Sequence, residues 1–72
     1  MIRLLLKRGD GEPRLIPLST DEETARKLYA AWTHSLKRDP EGVAVLFRGS
    51  LSRATVLAWH GRGLTPNLEV AA

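Results

Sequence analysis

The segment of this chain that most limits its fold runs from residue 19 to residue 38, where apolar side chains recur at helical spacing. At about 100° per residue, five of them form a single stripe with Trp32 near its middle. The five residues are Ala25, Leu28, Tyr29, Trp32 and Leu36. We therefore predict one amphipathic helix, with this stripe, Trp32 included, packed in the core.

Both ends of this helix carry recognisable sequence signals. Ser19 with Glu22, or Thr20 with Glu23, fits a capping box, in which two side chains satisfy two backbone donors at the helix start. The sequence DPEG ends the helix, because Pro40 disfavours helical geometry at the residue before it. Acidic residues then lie in the first turn and basic residues in the last turn, as the helix dipole favours.

Two apolar runs of strand length lie on each side of the helix. MIRLLLK and PRLIPLS precede it, and the RGDG between them is typical of a tight reversal, because glycine accepts a positive φ. The second run contains Pro13 and Pro17, which cannot donate ladder hydrogen bonds, so we expect an edge strand there. VAVLFR and TVLAWH follow the helix, and the GSLSRA between them predicts a wide loop or a short 3₁₀ turn.

These elements predict a single small α+β domain of ββαββ order over residues 1–63. Its sheet has four strands, mainly antiparallel, and the helix packs on one face. Residues 64–72 are expected to form a C-terminal tail, either frayed or adding a short edge strand. The 72 residues include no cysteine and only two histidines, His34 and His60, so neither disulfides nor a zinc cage is expected to stabilise so small a core. Self-association is the remaining way in which domains of this size are commonly stabilised.

A single helix covers one face of a four-stranded sheet, yet the strands are apolar on both faces. We therefore expect an exposed apolar sheet face, which soluble monomers seldom keep. We predict that a homo-oligomer, with a dimer favoured, or another protein buries it, or that a partner adds a strand at the proline-bearing edge. The residues expected at the interface are Leu5, Leu15, Leu46, Leu57 and Trp59. For Trp59 the sequence leaves two alternatives, because it either anchors this interface or completes the helix-covered core.

No catalytic signature is present in the sequence. There is no cysteine nucleophile and no motif of the metalloproteases, the P-loop proteins or the serine hydrolases. Asp21, Glu22 and Glu23 form a carboxylate cluster that their place at a helix start explains in full. His34 lies opposite the apolar stripe, where a solvated histidine is the ordinary outcome. We predict no enzyme, and with it no catalytic residue, metal, cofactor or small-molecule substrate.

The net charge of +3 and the pI near 10.0 make nucleic-acid binding the alternative function. Arginine suits phosphate, because its planar guanidinium makes paired hydrogen bonds. The candidate contacts surround the second pair of strands and are Arg48, Arg53, His60 and Arg62. Gly61 and Gly63 on either side of Arg62 form a candidate anion nest. The basic residues are diffuse and no nucleic-acid-binding motif is present, so this alternative ranks second.

No stretch of the sequence approaches the roughly 18 to 20 apolar residues that a membrane span needs. We therefore expect a cytoplasmic protein with no membrane partner. Together with the apolar sheet face, the sequence predicts a small non-enzymatic protein–protein interaction module, acting as a homo-oligomer or as an accessory subunit of a larger protein. A small basic nucleic-acid-binding regulator is the alternative.

Overall fold

The computed structural model describes residues 1–9, 11–39 and 41–61, and these form the predicted ββαββ order. The elements are β1 (Ile2–Lys7), β2 (Arg14–Leu18), α1 (Glu22–His34), β3 (Val43–Arg48) and β4 (Thr55–His60). All strand pairs in this sheet are antiparallel, in the order β2-β1-β3-β4. The prediction of a four-stranded α+β domain is confirmed. The tail predicted at residues 64–72 lies outside the described residues.

β1 is one of the two central strands of the sheet, because it pairs with β2 on one side and with β3 on the other. Leu4, Leu5 and Leu6 are consecutive, yet Leu4 and Leu5 have no exposed surface and Leu6 has almost none. Successive side chains on a strand point to opposite faces. Both faces of the sheet must therefore be covered at its centre.

The helix covers one of these faces through two buried side chains, Ala25 near its start and Leu36 just beyond its end. Ile16, Leu18 and Tyr29 are half-buried around this layer. The buried residues of the layer are Ile2, Leu4, Leu6, Ala25, Leu36, Ala44 and Leu46.

The helix begins one or two residues later than the predicted capping box would place it. Asp21 is the N-cap, and its Oδ1 accepts a hydrogen bond from the Thr24 amide at 2.8 Å. Hydrogen bonds from the side chain and the backbone of Thr24 hold the pKa of the Asp21 carboxyl below its ordinary value. The prediction that Ser19 or Thr20 caps the helix is therefore wrong, because an aspartate closer to the first turn serves equally well.

The helix also ends earlier than the predicted residue 38. α1 stops at His34, and tighter turns follow, in which the Leu36 amide donates to the Thr33 carbonyl at 2.9 Å and the Asp39 amide donates to the Leu36 carbonyl at 3.0 Å. Such three-residue turns are common where a helix ends. They turn Leu36 into the core.

Asp39 links the turn between β1 and β2 to the loop between α1 and β3. Its Oδ2 accepts a hydrogen bond from the Gly9 amide at 2.7 Å, and its Oδ1 accepts one from the Glu41 amide at 3.0 Å. The Gly9 bond, aided by the Glu41 bond and by the charges of Lys7 and Arg8, lowers the pKa of the Asp39 carboxyl below its ordinary value of 3.8. The ionised carboxylate therefore stabilises the folded chain.

One irregularity in β4 changes which side chains share a face. Val56 and Ala58 oppose adjacent residues of β3, which leaves Leu57 as an extra residue in a β-bulge. Because of the bulge, Leu57 and Ala58 both pack with the helix-side layer, whereas Val56 and Trp59 both pack on the opposite face. Simple alternation along the strand does not hold here.

A 3₁₀ turn, Leu51–Arg53, joins β3 to β4, which is one of the two outcomes expected for this segment. The turn requires glycine at its start. Gly49 adopts a φ of +94°, and a Cβ at this position would lie 2.8 Å from the Arg53 carbonyl oxygen.

Gly49→Ala is therefore expected to lower the free energy of unfolding by more than about 1 kcal/mol, because alanine suffers both strain and overlap there. Urea denaturation followed by circular dichroism measures the change. Gly11→Ala is the matched control, since the nearest atoms to a Cβ at Gly11 are 3.8 Å away. Equal losses in the two variants would contradict this view of the turn.

Asp39→Asn is expected to lower the thermal midpoint at neutral pH and to lose this effect in acid. A carboxyl whose folded pKa is depressed stabilises the fold fully above its unfolded pKa, and this stabilisation is lost as pH falls through the folded pKa. The midpoints of the variant and the unaltered chain should therefore converge as pH falls below about 4. Glu23→Gln, at an exposed surface pair, is the control and should change little. A gap of the same size at pH 7 and in acid would refute this role.

Candidate functional site

The face of the sheet opposite α1 is not the exposed apolar surface that the sequence predicts. Its central residues, Leu5, Val45 and Phe47, have no exposed surface at all. Half-buried side chains from β3, the 3₁₀ turn and β4 pack against them, and these are Val43, Leu51, Ala54, Val56 and Trp59. Leu5 thus lies on the predicted face but offers no area to a partner.

Two of the predicted interface residues lie on the other face. Leu46 opposes Leu4 in register and is buried beneath the helix. Leu57 is turned to the same side by the bulge. The assignment of these two residues to the face opposite the helix is therefore wrong. Trp59 does lie on that face, half-buried, and Leu15 on β2 is exposed by 39%.

The residues predicted to contact nucleic acid are not brought together. Arg48 and Arg53 flank the turn between β3 and β4, and Arg48 Nη2 lies 2.8 Å from Glu22 Oε1. His60 is at the far end of β4, five residues from Thr55, which is about 16 Å along a strand. Arg62 and Gly63 of the candidate anion nest lie outside the described residues. Among the described residues, Arg48, Arg53 and His60 therefore do not form one site.

Trp32, predicted to be a core residue, instead lies partly at the surface. Within the described residues, the exposed large apolar side chains are Met1, Leu15, Leu28 and Trp32. Trp32 is exposed by 36%, and Leu28, one helical turn before it, by 39%. The reason is the rotation of the helix about its axis: Arg26 Nη1 donates to the Leu57 carbonyl of β4 at 3.2 Å, which leaves Leu28 and Trp32 on the opposite flank, towards β2.

Trp32 borders two depressions on this side of the domain. A groove of about 460 Å³ separates it from the turn between β1 and β2, and its lining residues are Leu6, Arg8, Gly11, Glu12, Arg14 and Trp32. A smaller and more open depression of about 210 Å³ is lined by Ala31, Trp32 and Ser35. We call the helix surface formed by Leu28, Ala31, Trp32 and Ser35 the α1 flank.

The neighbouring edge of the sheet is poorly suited to strand addition. The Gly49 amide donates to the Met1 carbonyl, so the odd-numbered residues of β1 bond to β3 and the even-numbered ones bond to β2. On β2, the residues that point their backbone groups outwards are therefore Leu15 and, on either side of it, Pro13 and Pro17. Two of these three have no N–H to donate. A partner strand would find a single donor here.

Sequence reasoning did not identify the groove. Arg8 and Arg14 flank a reversal that the sequence predicts, and in register Arg14 opposes Leu6. Strand pairing could have placed Arg14 beside Leu6 on the helix-covered face. The position of Trp32 over this pair depends on the rotation of the helix, for which the sequence carries no signal.

Comparison with known proteins found no matching family model, no matching curated protein and no matching solved structure. Among the described residues, no helix is both long and apolar enough to cross a membrane. In the same part of the chain, no three His, Asp or Glu side chains are grouped so that they could hold a metal ion.

The placement of the predicted interface residues is tested by the same substitution, leucine to alanine, at a buried position and at an exposed position. Leu46→Ala is expected to lower the free energy of unfolding by about 2 to 5 kcal/mol, because Leu46 is fully buried beneath the helix. Leu15→Ala should lower it by about 1 kcal/mol or less, because Leu15 is exposed. Urea denaturation of both variants measures the difference. Similar losses would mean that the two leucines share a comparable environment.

Proposed function

We propose that this protein is a small non-catalytic protein-interaction module that self-associates through the α1 flank. The observation that carries the proposal is the exposure of Leu28 and Trp32 one turn apart on the helix of the domain. Tryptophan is enriched among the residues that dominate interface energies, because it offers a large apolar area at a small entropic cost. Burying this pair in a contact removes Leu28 and one side of Trp32 from water.

A second copy of the chain is the partner that the charge of α1 favours. Acidic residues 21–23 lie at the start of the helix, and His34, Lys37 and Arg38 lie at or just beyond its end. A two-fold axis perpendicular to α1 brings the same surface of two copies together with their helices antiparallel. In this arrangement the acidic start of each helix faces the basic end of the other. The two antiparallel helix dipoles also attract each other.

The shape of the α1 flank suits such a contact. Ala31 and Ser35 are small, and the depression that they form with Trp32 lies next to the exposed Leu28. Ridges of large side chains pack into gaps left by small ones when two helices meet. In the proposed dimer, Leu28 and Trp32 of one protomer pack against the Ala31–Ser35 depression of its partner.

This proposal keeps the self-association expected from the sequence but moves its location. Leu5, Val45 and Phe47 are buried within the chain, so the centre of the face opposite the helix has no apolar area to offer. Pro13 and Pro17 weaken the sheet edge at β2 as a docking strand. The α1 flank is the exposed apolar surface that remains on the helix side.

Leu28→Glu is expected to dissociate the dimer. Two buried leucines are replaced by two charges in each dimer, so the dissociation constant should rise by about tenfold or more. Sedimentation equilibrium of the full chain over a range of concentrations measures it, and circular dichroism checks that the fold is retained.

Leu15→Glu is the matched control, because Leu15 and Leu28 have the same exposed fraction. It should leave the dimer intact. The proposal fails if the unaltered chain is a monomer at all concentrations. It fails equally if Leu15→Glu dissociates the assembly while Leu28→Glu does not.

A further inference from the structure

The groove beside Trp32 has the size of a small-molecule site. Its volume of about 460 Å³ falls within the range of roughly 300 to 1,000 Å³ in which such ligands bind. Leu6, almost fully buried, lies at its base, and Trp32 lies on its helix side. The turn between β1 and β2 lies across from Trp32. One apolar wall and one polar wall therefore face each other.

The polar wall contains two guanidinium groups. Arg8 and Arg14 come from the two ends of the turn, and both residues are exposed. Among the described residues, no carboxylate lies within ion-pair distance of the Arg14 guanidinium. Arg8 acts on the Asp39 carboxylate through its charge. Two planar guanidinium groups in one groove are well suited to the oxygens of a phosphate, which they bind pairwise.

The other wall is aromatic. Trp32 is exposed by 36%, and it lines this groove as well as the smaller depression beside Ala31 and Ser35. A nucleobase stacks on such a ring irrespective of its sequence identity, because every base presents a π-face. Glu12 adds a carboxylate to the lining, which accepts hydrogen bonds from amino and hydroxyl groups.

We infer that this groove binds a phosphorylated nucleoside. The phosphate lies between Arg8 and Arg14, the base stacks on Trp32, and a sugar hydroxyl or base amino group donates to Glu12. No simpler ligand uses all of these groups. Inorganic phosphate, for example, leaves the indole uncovered.

This site is separate from the proposed contact between protomers, although both involve Trp32. The dimer contact uses the depression that Trp32 lines with Ala31 and Ser35, whereas the other lining residues of the groove come from β1, β2 and the turn between them. Loss of one function therefore does not require loss of the other, and separate variants test each.

The inference is tested by titrating nucleotides into the full chain carrying Trp59→Phe, so that Trp32 is the fluorescent tryptophan. The probes are the 5′-monophosphates of adenosine, guanosine, cytidine and uridine, with adenosine and inorganic phosphate as partial ligands. We expect saturable quenching of Trp32 by the nucleotides. The partial ligands should bind about tenfold more weakly or worse, because each lacks one half of the contacts.

Arg14→Gln is expected to weaken nucleotide binding by about tenfold or more, since it removes one charged phosphate donor. Arg53→Gln is the matched control, because Arg53 is also exposed and lies in the 3₁₀ turn at the other end of the sheet. It should leave the affinity unchanged. Arg14→Gln should not alter sedimentation, and Leu28→Glu should not alter nucleotide binding, so that failure of this inference and failure of the proposed dimer are distinguishable.

Ten-residue single strands of adenosine RNA and thymidine DNA distinguish a free nucleotide from a nucleotide within a chain. Tighter binding of a strand, falling steeply with salt, identifies single-stranded nucleic acid, whereas equal or tighter binding of the monophosphate identifies the free nucleotide. Either result supports the site. The inference is overturned if no nucleotide binds saturably up to about 1 mM. It is also overturned if Arg53→Gln weakens binding as much as Arg14→Gln, or if inorganic phosphate or octaglutamate binds as tightly as the nucleotides.

Discussion

The burial of three consecutive leucines in β1 is the constraint on which the rest of this structure depends. Leu4 and Leu6 point to one face of the sheet and Leu5 to the other, and none of them keeps appreciable contact with water. The chain must therefore cover both faces of the sheet with its own residues, since each exposed leucine would forgo about 1.5 to 3 kcal/mol. α1 covers the first face, and side chains of β3, the 3₁₀ turn and β4 pack over the second.

The way in which these faces are covered determines what remains at the surface. Arg26 bonds to the Leu57 carbonyl, and Glu22 pairs with both Arg26 and Arg48, so the start of α1 is held towards β3 and β4. These exposed ion pairs contribute little energy individually, but they agree with the packing of Ala25 in setting the rotation of the helix. The β2 side is left less covered, and the flank of α1 and the groove beside Trp32 both lie there. The two proposals thus have one structural origin.

The order of the elements, the reversal between β1 and β2, and the single amphipathic helix were all predictable, because local periodicity and turn residues encode them. The distribution of side chains between the faces was not. It depends on the pairing register, which puts Leu46 with Leu4, and on a bulge at Leu57 that breaks the alternation. Trp32 illustrates the same limit, because a rotation of a few tens of degrees about the helix axis moves it from the predicted core to the surface. The groove was missed for this reason.

Nuclear Overhauser contacts of the β4 side chains test most directly whether the chain covers both faces of its sheet in this way. If the bulge is present, the Leu57 methyl groups show contacts to Ala25 or Leu46, and the Trp59 indole shows contacts to Val45 or Phe47. A regular β4 would instead place Leu57 and Trp59 on the same face. Contacts from the Leu57 methyl groups to Val45 or Phe47 would contradict the arrangement described above.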